Sequence, residues 1–217
     1  MNNNKIDYLP QRCIVLLIGL TLMALGVAFS IRADLGTSPI SSLPYVTGLM
    51  FNLSVGTTTV IINTLFVLIQ ILILRREYQW LQLLQIGVAA FFGMMIDLWG
   101  AALDWLNYSN YLQQWVLCVI GIVVLALGVS VEVMANLLVA PGEGIVLAVC
   151  KKFPIKFGNA KVGLDVTLVL LAVLLSLLCL GGLKGVREGT IAAAICVGLI
   201  TKIFNKPLDK LKAKIFA

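Results

Sequence analysis

The sequence predicts an all-α polytopic membrane protein built from two inverted repeats, each with three spanning helices and one re-entrant half-helix. Three observations carry that expectation. Hydrophobic residues make up 60% of the 217 positions and mean hydropathy is +1.03, far above the roughly 45–50% apolar content of soluble domains. Six apolar runs, Cys13–Ile31, Thr57–Leu74, Leu81–Leu98, Trp115–Val131, Val166–Leu180 and Ile191–Ile200 with its flanks, mostly approach the ~20 residues that cross ~30 Å of hydrocarbon. The stretch from Ala33 through Pro39 to Gly56 also returns 102 residues later, from Ala135 through Pro141 to Gly158. A β-barrel would show short alternating segments instead.

The repeat runs without a gap. Gly19, Ala24, Leu25, Gly26 and Val27 match Gly121, Ala126, Leu127, Gly128 and Val129; Ala33, Leu35, Pro39, Gly56 and Val60 match Ala135, Leu137, Pro141, Gly158 and Val162. Because Ile18–Leu35 has its counterpart at Ile120–Leu137, the first apolar run reads as a structural helix and not as a cleavable leader. Gly19, Gly26, Gly121 and Gly128 recur at a spacing of seven, which puts small residues on one helix face for close helix packing. Gly189 and Gly198 read the same way on the last span.

Each first helix runs into a polar, Gly/Pro-interrupted break, and Pro39–Phe51 and Pro141–Lys152 follow as short apolar helices. At 1.5 Å per residue, a helix of about a dozen residues reaches roughly 20 Å, too short to span. Proline suits the first helical turn, where its missing N–H is no loss, and Ser38 is placed to cap the first of the pair. If both are re-entrant, each half has three spans and the second half is inverted. The cytoplasmic side then holds 13 of the 16 Lys and Arg residues. If both spanned, the split would be 11 to 5, with Arg75 and Arg76 outside. The bias of basic residues toward the cytoplasm favours the inverted arrangement.

These boundaries divide the chain into repeat 1 (1–99), an external linker (100–113), repeat 2 (114–204) and a basic cytoplasmic tail (205–217). The linker carries Asp104, Trp105, Tyr108 and Tyr111 and no Lys or Arg, a pattern suited to the outer headgroup region. The tail suits the anionic inner leaflet. Both termini are therefore expected in the cytoplasm.

The chain's net charge is +6, but its basic residues cluster at helix ends and form no single face for nucleic acid. Histidine is absent, which removes His-based metal sites, proton relays and triads. Cys13, Cys118, Cys150, Cys179 and Cys196 form no CxxC pair and read as small buried hydrophobes. No metal, cofactor or enzymatic activity is expected, since the scattered carboxylates Asp97, Glu132, Glu143 and Asp165 make no paired motif.

Non-helical backbone at membrane depth survives only inside protein or along a water-filled cavity. Matching interrupted segments in two halves therefore point to a transporter's binding site, and the helix N-termini at Ser38 and Pro141 suit an anion or carboxylate. The candidate substrate-binding residues are Arg32, Gly36, Thr37, Ser38, Ser41, Asn63, Gly142, Glu143 and Asp165. Glu143 has three readings: substrate binding or proton coupling near mid-membrane, capping from the third helical position, or simple exposure. Arg32 either grips an anionic group in a bidentate pair or snorkels to the interface. Asp165 and its counterpart Asn63 are expected in the first turns of the helix after each break, and Glu132 as a solvated charge at a helix end.

Ala33-Asp-Leu-Gly-Thr-Ser-Pro39, Leu53-Ser-Val-Gly56, Gly189-Thr190 and the duplicated plan together resemble the YczE/YyaS/YitT family of bacterial integral membrane proteins, over nearly the whole chain. The second break departs from the signature, with Leu138 and Val139 in place of glycine or a small polar residue. The resemblance implies a bacterial inner-membrane location. The architecture suggests a small secondary transporter of an anionic or zwitterionic metabolite, acting as a possible homodimer. The alternatives are a passive channel and a non-transporting partner or assembly factor for another membrane system.

Overall fold

A computed structural model describes residues 8–215; Lys5, and the side chains of Lys210 and Lys214 among the predicted inner-face charges, lie outside what is described. The secondary structure of the described residues is all helical: α1 (Leu9–Ala33), α2 (Pro39–Phe51), α3 (Val55–Leu74), α4 (Leu84–Ala102), α5 (Tyr111–Ala135), α6 (Pro141–Lys152), α7 (Phe157–Leu180) and α8 (Glu188–Ile215), joined by short connections. Six segments are long and apolar enough to cross a membrane: Leu9–Ala33, Val55–Glu77, Trp80–Ala102, Tyr111–Ala135, Phe157–Leu180 and Glu188–Asp209. The protein is thus a multi-pass helical membrane protein. Its two short helices, α2 and α6, have the bounds the sequence predicts.

Helices α1 and α5 form the centre and pack antiparallel. Gly19 of α1 lies against Gly128 and Glu132 of α5, and Gly26 lies against Gly121 and Leu125. These glycines let two backbones approach where hydrophobicity alone gives helices no reason to associate in lipid. At one end of the pair, buried Arg12 on α1 donates to the carbonyl of Ala135 on α5 at 3.0 Å, satisfying a carbonyl at the end of a helix. Gly198, by contrast, faces open space, so its predicted packing role does not hold. Cys13 and Cys179 are exposed on the apolar exterior and not buried as expected.

The short helices pack on the opposite halves. Helix α2 lies against α7, and α6 against α3. Leu43 of α2, Phe66 of α3, Ile145 and Val146 of α6 and Leu168 of α7 share one apolar cluster. Helices α4 and α8 flank the centre, α4 on α1 and α3, and α8 on α5. Helix α8 continues through Pro207, so the predicted basic tail is helical and continuous with the last span over its described length.

The breaks are built from left-handed residues. Asp34 (φ 53) ends α1 and Asn136 (φ 45) ends α5, and short polar side chains tolerate this conformation best among residues with a Cβ. Gly36 follows at φ 90, where a Cβ would meet the Thr190 hydroxyl and the Arg187 backbone nitrogen. The first break is then pinned to the α7–α8 connection: Thr37 N–H donates to Gly185 O (3.1 Å), and Gly189 N–H to Leu35 O (2.8 Å).

Candidate functional site

The two breaks bring the N-termini of α2 and α6 together. Ile40 of α2 sits directly over Gly142 of α6, so closely that any Cβ there would strike it. Ser41, Asn63, Ala140, Pro141 and Gly142 line a cavity of only about 60 Å³ at this meeting point, along with Leu20, Met23, Val27, Phe92 and Leu125. Of the predicted site residues, Ser41, Asn63 and Gly142 therefore converge, in mainly apolar surroundings.

The capping role of Ser38 and the first-turn positions of Asp165 and Asn63 are corrected here. Ser38 occupies the N-cap position of α2 but forms no capping bond; its hydroxyl donates instead to the Ser41 hydroxyl at 3.1 Å. Thr37 is fully buried, with no hydrogen-bond partner for its hydroxyl. Asp165 and Asn63 lie in the third turns of α7 and α3, since those helices begin at Phe157 and Val55. Asp165 is paired with Lys161 one turn away, at 2.5 Å, and lines none of the cavities described here.

Glu132 is the residue the sequence reading misplaced. It is 4% exposed, not a solvated end charge, and its carboxylate accepts from Ala140 N–H at 3.2 Å. Ala140 is the N-cap of α6 and has no side chain to cap with. Glu132 therefore fills, from the preceding helix, the position that a capping Glu143 would take. Gly121, Leu125, Gly128 and Glu132 follow the i, i+4, i+7, i+11 progression of one helix face, and that face packs on α1. This pattern was the available signal. Glu143, relieved of capping, lies within electrostatic reach of both Glu132 and Lys161.

Two further clefts lie at opposite ends of α3, one lined by Val55 and the other by Leu74. The larger, about 720 Å³, opens at the linker end and is lined by Arg32, Asp34, Tyr45, Asp97, Asn107 and Tyr108 over an apolar floor that includes Ile31, Val55 and Ile96. Arg32 neither snorkels freely nor points an unpaired guanidinium at a ligand. It donates to Gly100 O (3.0 Å) and to the Asp104 carboxylate (2.5 Å), tying the linker to α1. Asp97 accepts from the Ser54 hydroxyl (2.6 Å) and Gly56 N–H (2.7 Å), which charges the start of α3 favourably. Asp34 accepts from the Tyr108 hydroxyl at 3.2 Å. The smaller cleft, about 230 Å³, lies toward Glu77, Gln79, Gln82, Gln85, Leu138, Gly144 and Lys151. At its back, buried Gln70 donates both to Gln85 and to Pro141 O, each at 3.2 Å.

Among the described residues no three His, Cys, Asp or Glu side chains come close enough to hold a metal ion. The chemistry on offer is recognition by carboxylates, tyrosines and amides, with buried Glu132 and half-buried Glu143 beside the second break.

Comparison with known proteins agrees with the resemblance. An uncharacterized protein of Haemophilus influenzae is 22% identical over 197 residues, covering 91% of this chain and 84% of its own length. The uncharacterized membrane protein YczE of Bacillus subtilis is 29% identical over 191 residues (87% of this chain, 82% of YczE). The uncharacterized protein YyaS of the same organism is 26% identical over 133 residues, 61% of this chain and 65% of YyaS. No solved structure matches the chain. The model of a family of unknown function, DUF6198, matches residues 10–206, and the chain belongs to that family.

Proposed function

We propose that this protein is a small secondary transporter of the bacterial cytoplasmic membrane, carrying a small zwitterionic metabolite past the two helix breaks. The observation that carries the reading is the meeting of the α2 and α6 N-termini, Ile40 on Gly142, between a polar cleft at the start of α3 and a more apolar one at its far end. A gate of this kind lets one cleft open while the other is shut, which is what alternating access requires.

The inverted-repeat arrangement is supported by the antiparallel packing of α1 on α5, equivalent helices of the two halves. It is supported again by the exchange in which α2 packs on α7 and α6 on α3. Re-entrance of α2 is supported by its return to the end it left: Arg32 and Asp34 before the break and Val55 after α2 line the same cleft. Helix α6 correspondingly ends at Lys152, and Lys151 beside it pairs with Glu77 at 3.0 Å, in the connection between α3 and α4, at the end of α4 away from the linker. In this reading the linker lies outside and both termini lie in the cytoplasm. A reporter fused after Arg76 then reads cytoplasmic, and an external reading there refutes the six-span topology.

Of the two substrate classes expected, the zwitterionic one fits better. Glu132, the protein's own carboxylate, already occupies the start of α6, and the linker-end cleft carries two aspartates against one paired arginine. Glu143 is the coupling group: an ionisable side chain at membrane depth, close to Glu132 and Lys161. The test is uptake of labelled zwitterionic, anionic and cationic metabolites into proteoliposomes with and without an imposed proton or sodium gradient. Saturable, gradient-driven uptake that disappears in Glu143→Gln while the variant still melts like the parent is the expected result. Flux that ignores every gradient would make the protein a channel, and no flux of any compound would remove the transport reading.

A further inference from the structure

The linker-end cleft has a charge balance that identifies which part of a ligand it takes. Its lining carries Arg32, Asp34 and Asp97. Arg32 is neutralised by Asp104, whereas among the described residues neither Asp34 nor Asp97 belongs to any ion pair. Arg187 donates to the backbone carbonyl of Asp34 at 2.8 Å but is itself paired with Glu188, so the cleft keeps an excess of carboxylate, with Asp34 and Asp97 both in its lining.

Tyrosines complete the lining. Tyr45 lies within electrostatic reach of Asp34, Tyr108 and Arg32, and Tyr108 donates its hydroxyl to Asp34. Tyrosine rings attract organic cations through their π faces, and carboxylates attract them by charge. A cavity of about 720 Å³ falls in the size range of small-molecule sites, far larger than one metal ion needs, and no metal-holding group of side chains occurs among the described residues. The apolar floor of Ala28, Ile31, Val55 and Ile96 suits the carbon skeleton that would carry the charge.

We propose that this cleft binds the ammonium group of a small organic molecule, through Asp34 and Asp97 with Tyr45 and Tyr108 around it. The inference deepens the transport reading by naming the substrate group recognised, and it rests on that reading only for what happens after binding. Asp97 also holds the start of α3 through Ser54 and Gly56, so Asp34 is the cleaner residue to alter. Its backbone is left-handed, and Asn136 holds the same conformation at the matching place in the other half. Asp34→Asn therefore removes the charge and leaves the turn intact.

The experiment measures thermal melting and equilibrium binding of the purified full chain in mild detergent. The probes are ethanolamine and tetramethylammonium, with propionate, 1,2-propanediol and sodium chloride as comparisons. The expected result is a concentration-dependent rise in melting temperature with the two ammonium probes alone. Their affinity drops at least tenfold in Asp34→Asn and is unchanged in Asp209→Asn, which removes an exposed carboxylate from the far part of α8. An equal response in Asp34→Asn, a response to propionate or sodium chloride matching that to the ammonium probes, or no response to either ammonium probe overturns the proposal.

Proteoliposome uptake separates the two readings. Ammonium binding without uptake leaves this site standing and removes transport. Gradient-driven uptake of a compound lacking an ammonium group, indifferent to Asp34→Asn, leaves transport standing and removes this site.

Discussion

Replacing Gly26 by alanine tests the central packing of the molecule most directly. A Cβ at that position would sit 2.5 Å from Leu125 N and 2.8 Å from both Gly121 O and Leu125 Cα. All three are backbone atoms, so no side-chain rotation relieves the clash. Carbon contacts settle near 3.5–4.0 Å, so α1 and α5 must separate by about 1 Å. Overpacking of this kind costs about 1–3 kcal/mol. At about 2–4 °C per kcal/mol for a chain of this size, Gly26→Ala is expected to melt about 2–12 °C below the parent. Gly87→Ala in α4 is the matched control, because nothing lies within 4 Å of its Cβ position and alanine favours a helix over glycine by about 0.5–1 kcal/mol. Both variants, with Gly128→Ala, are followed by intrinsic fluorescence on heating in detergent. Gly128→Ala meets Met23 N at 2.5 Å in the same interface, so the double variant with Gly26→Ala should lose less than the sum of the two losses, since one separation relieves both clashes. Gly26→Ala melting together with Gly87→Ala would refute the close α1–α5 contact.

Three further outcomes follow from single contacts. Glu132→Ala strips the half-buried Ala140 N–H of its acceptor and is expected to cost about 1–3 kcal/mol, whereas Glu132→Gln keeps an acceptor and should melt nearer the parent; equal melting of the two would remove the capping role. Gly36→Ala combines a positive φ of 90 with collision against Thr190 and Arg187, so the yield of folded, monodisperse protein should fall sharply, and a normal yield would contradict the pinned break. Arg32→Gln releases the linker from α1, but its partner Asp104 is 81% exposed, so the loss of stability should stay within about 1 kcal/mol. The readout is hydrogen exchange across residues 100–106, which should accelerate; unchanged exchange would mean the ion pair does not hold the linker.

What was legible in the sequence followed from local chemistry. The bounds of α2 and α6 were readable because a proline at the first helical turn marks each start and the apolar stretch that follows is short. The glycine face of α1 and α5 was readable because a spacing of seven keeps residues on one side of a helix. The pairing of Arg32 with Asp104, 72 residues away, was not readable, since neither residue has a neighbour in sequence that requires the other. Asp97 reaching the start of α3 across 43 residues is the same case.

Glu132 shows why the breaks misled a reading based on helix ends. A charge three residues before the end of α5 ordinarily meets water, because helix ends ordinarily meet the interface. Here the chain leaves α5 at a left-handed Asn136 and reaches the start of α6 at Ala140, which lies inside the bundle beside Gly142 and Ile40. The face of the α5 end that carries Glu132 is therefore buried, and a carboxylate there needs a partner from within the protein. It finds one in the backbone of Ala140. The first half solves the same geometric problem differently: Asp34 sits at its turn, bonded to Tyr108, and the deeper hydroxyls of Ser38 and Ser41 satisfy each other. Two copies of one plan thus place their carboxylates differently, one beside an open cleft and one buried at the base of a short helix. That divergence fits the proposed transport function, in which one half meets the substrate and the other supplies the coupling charge.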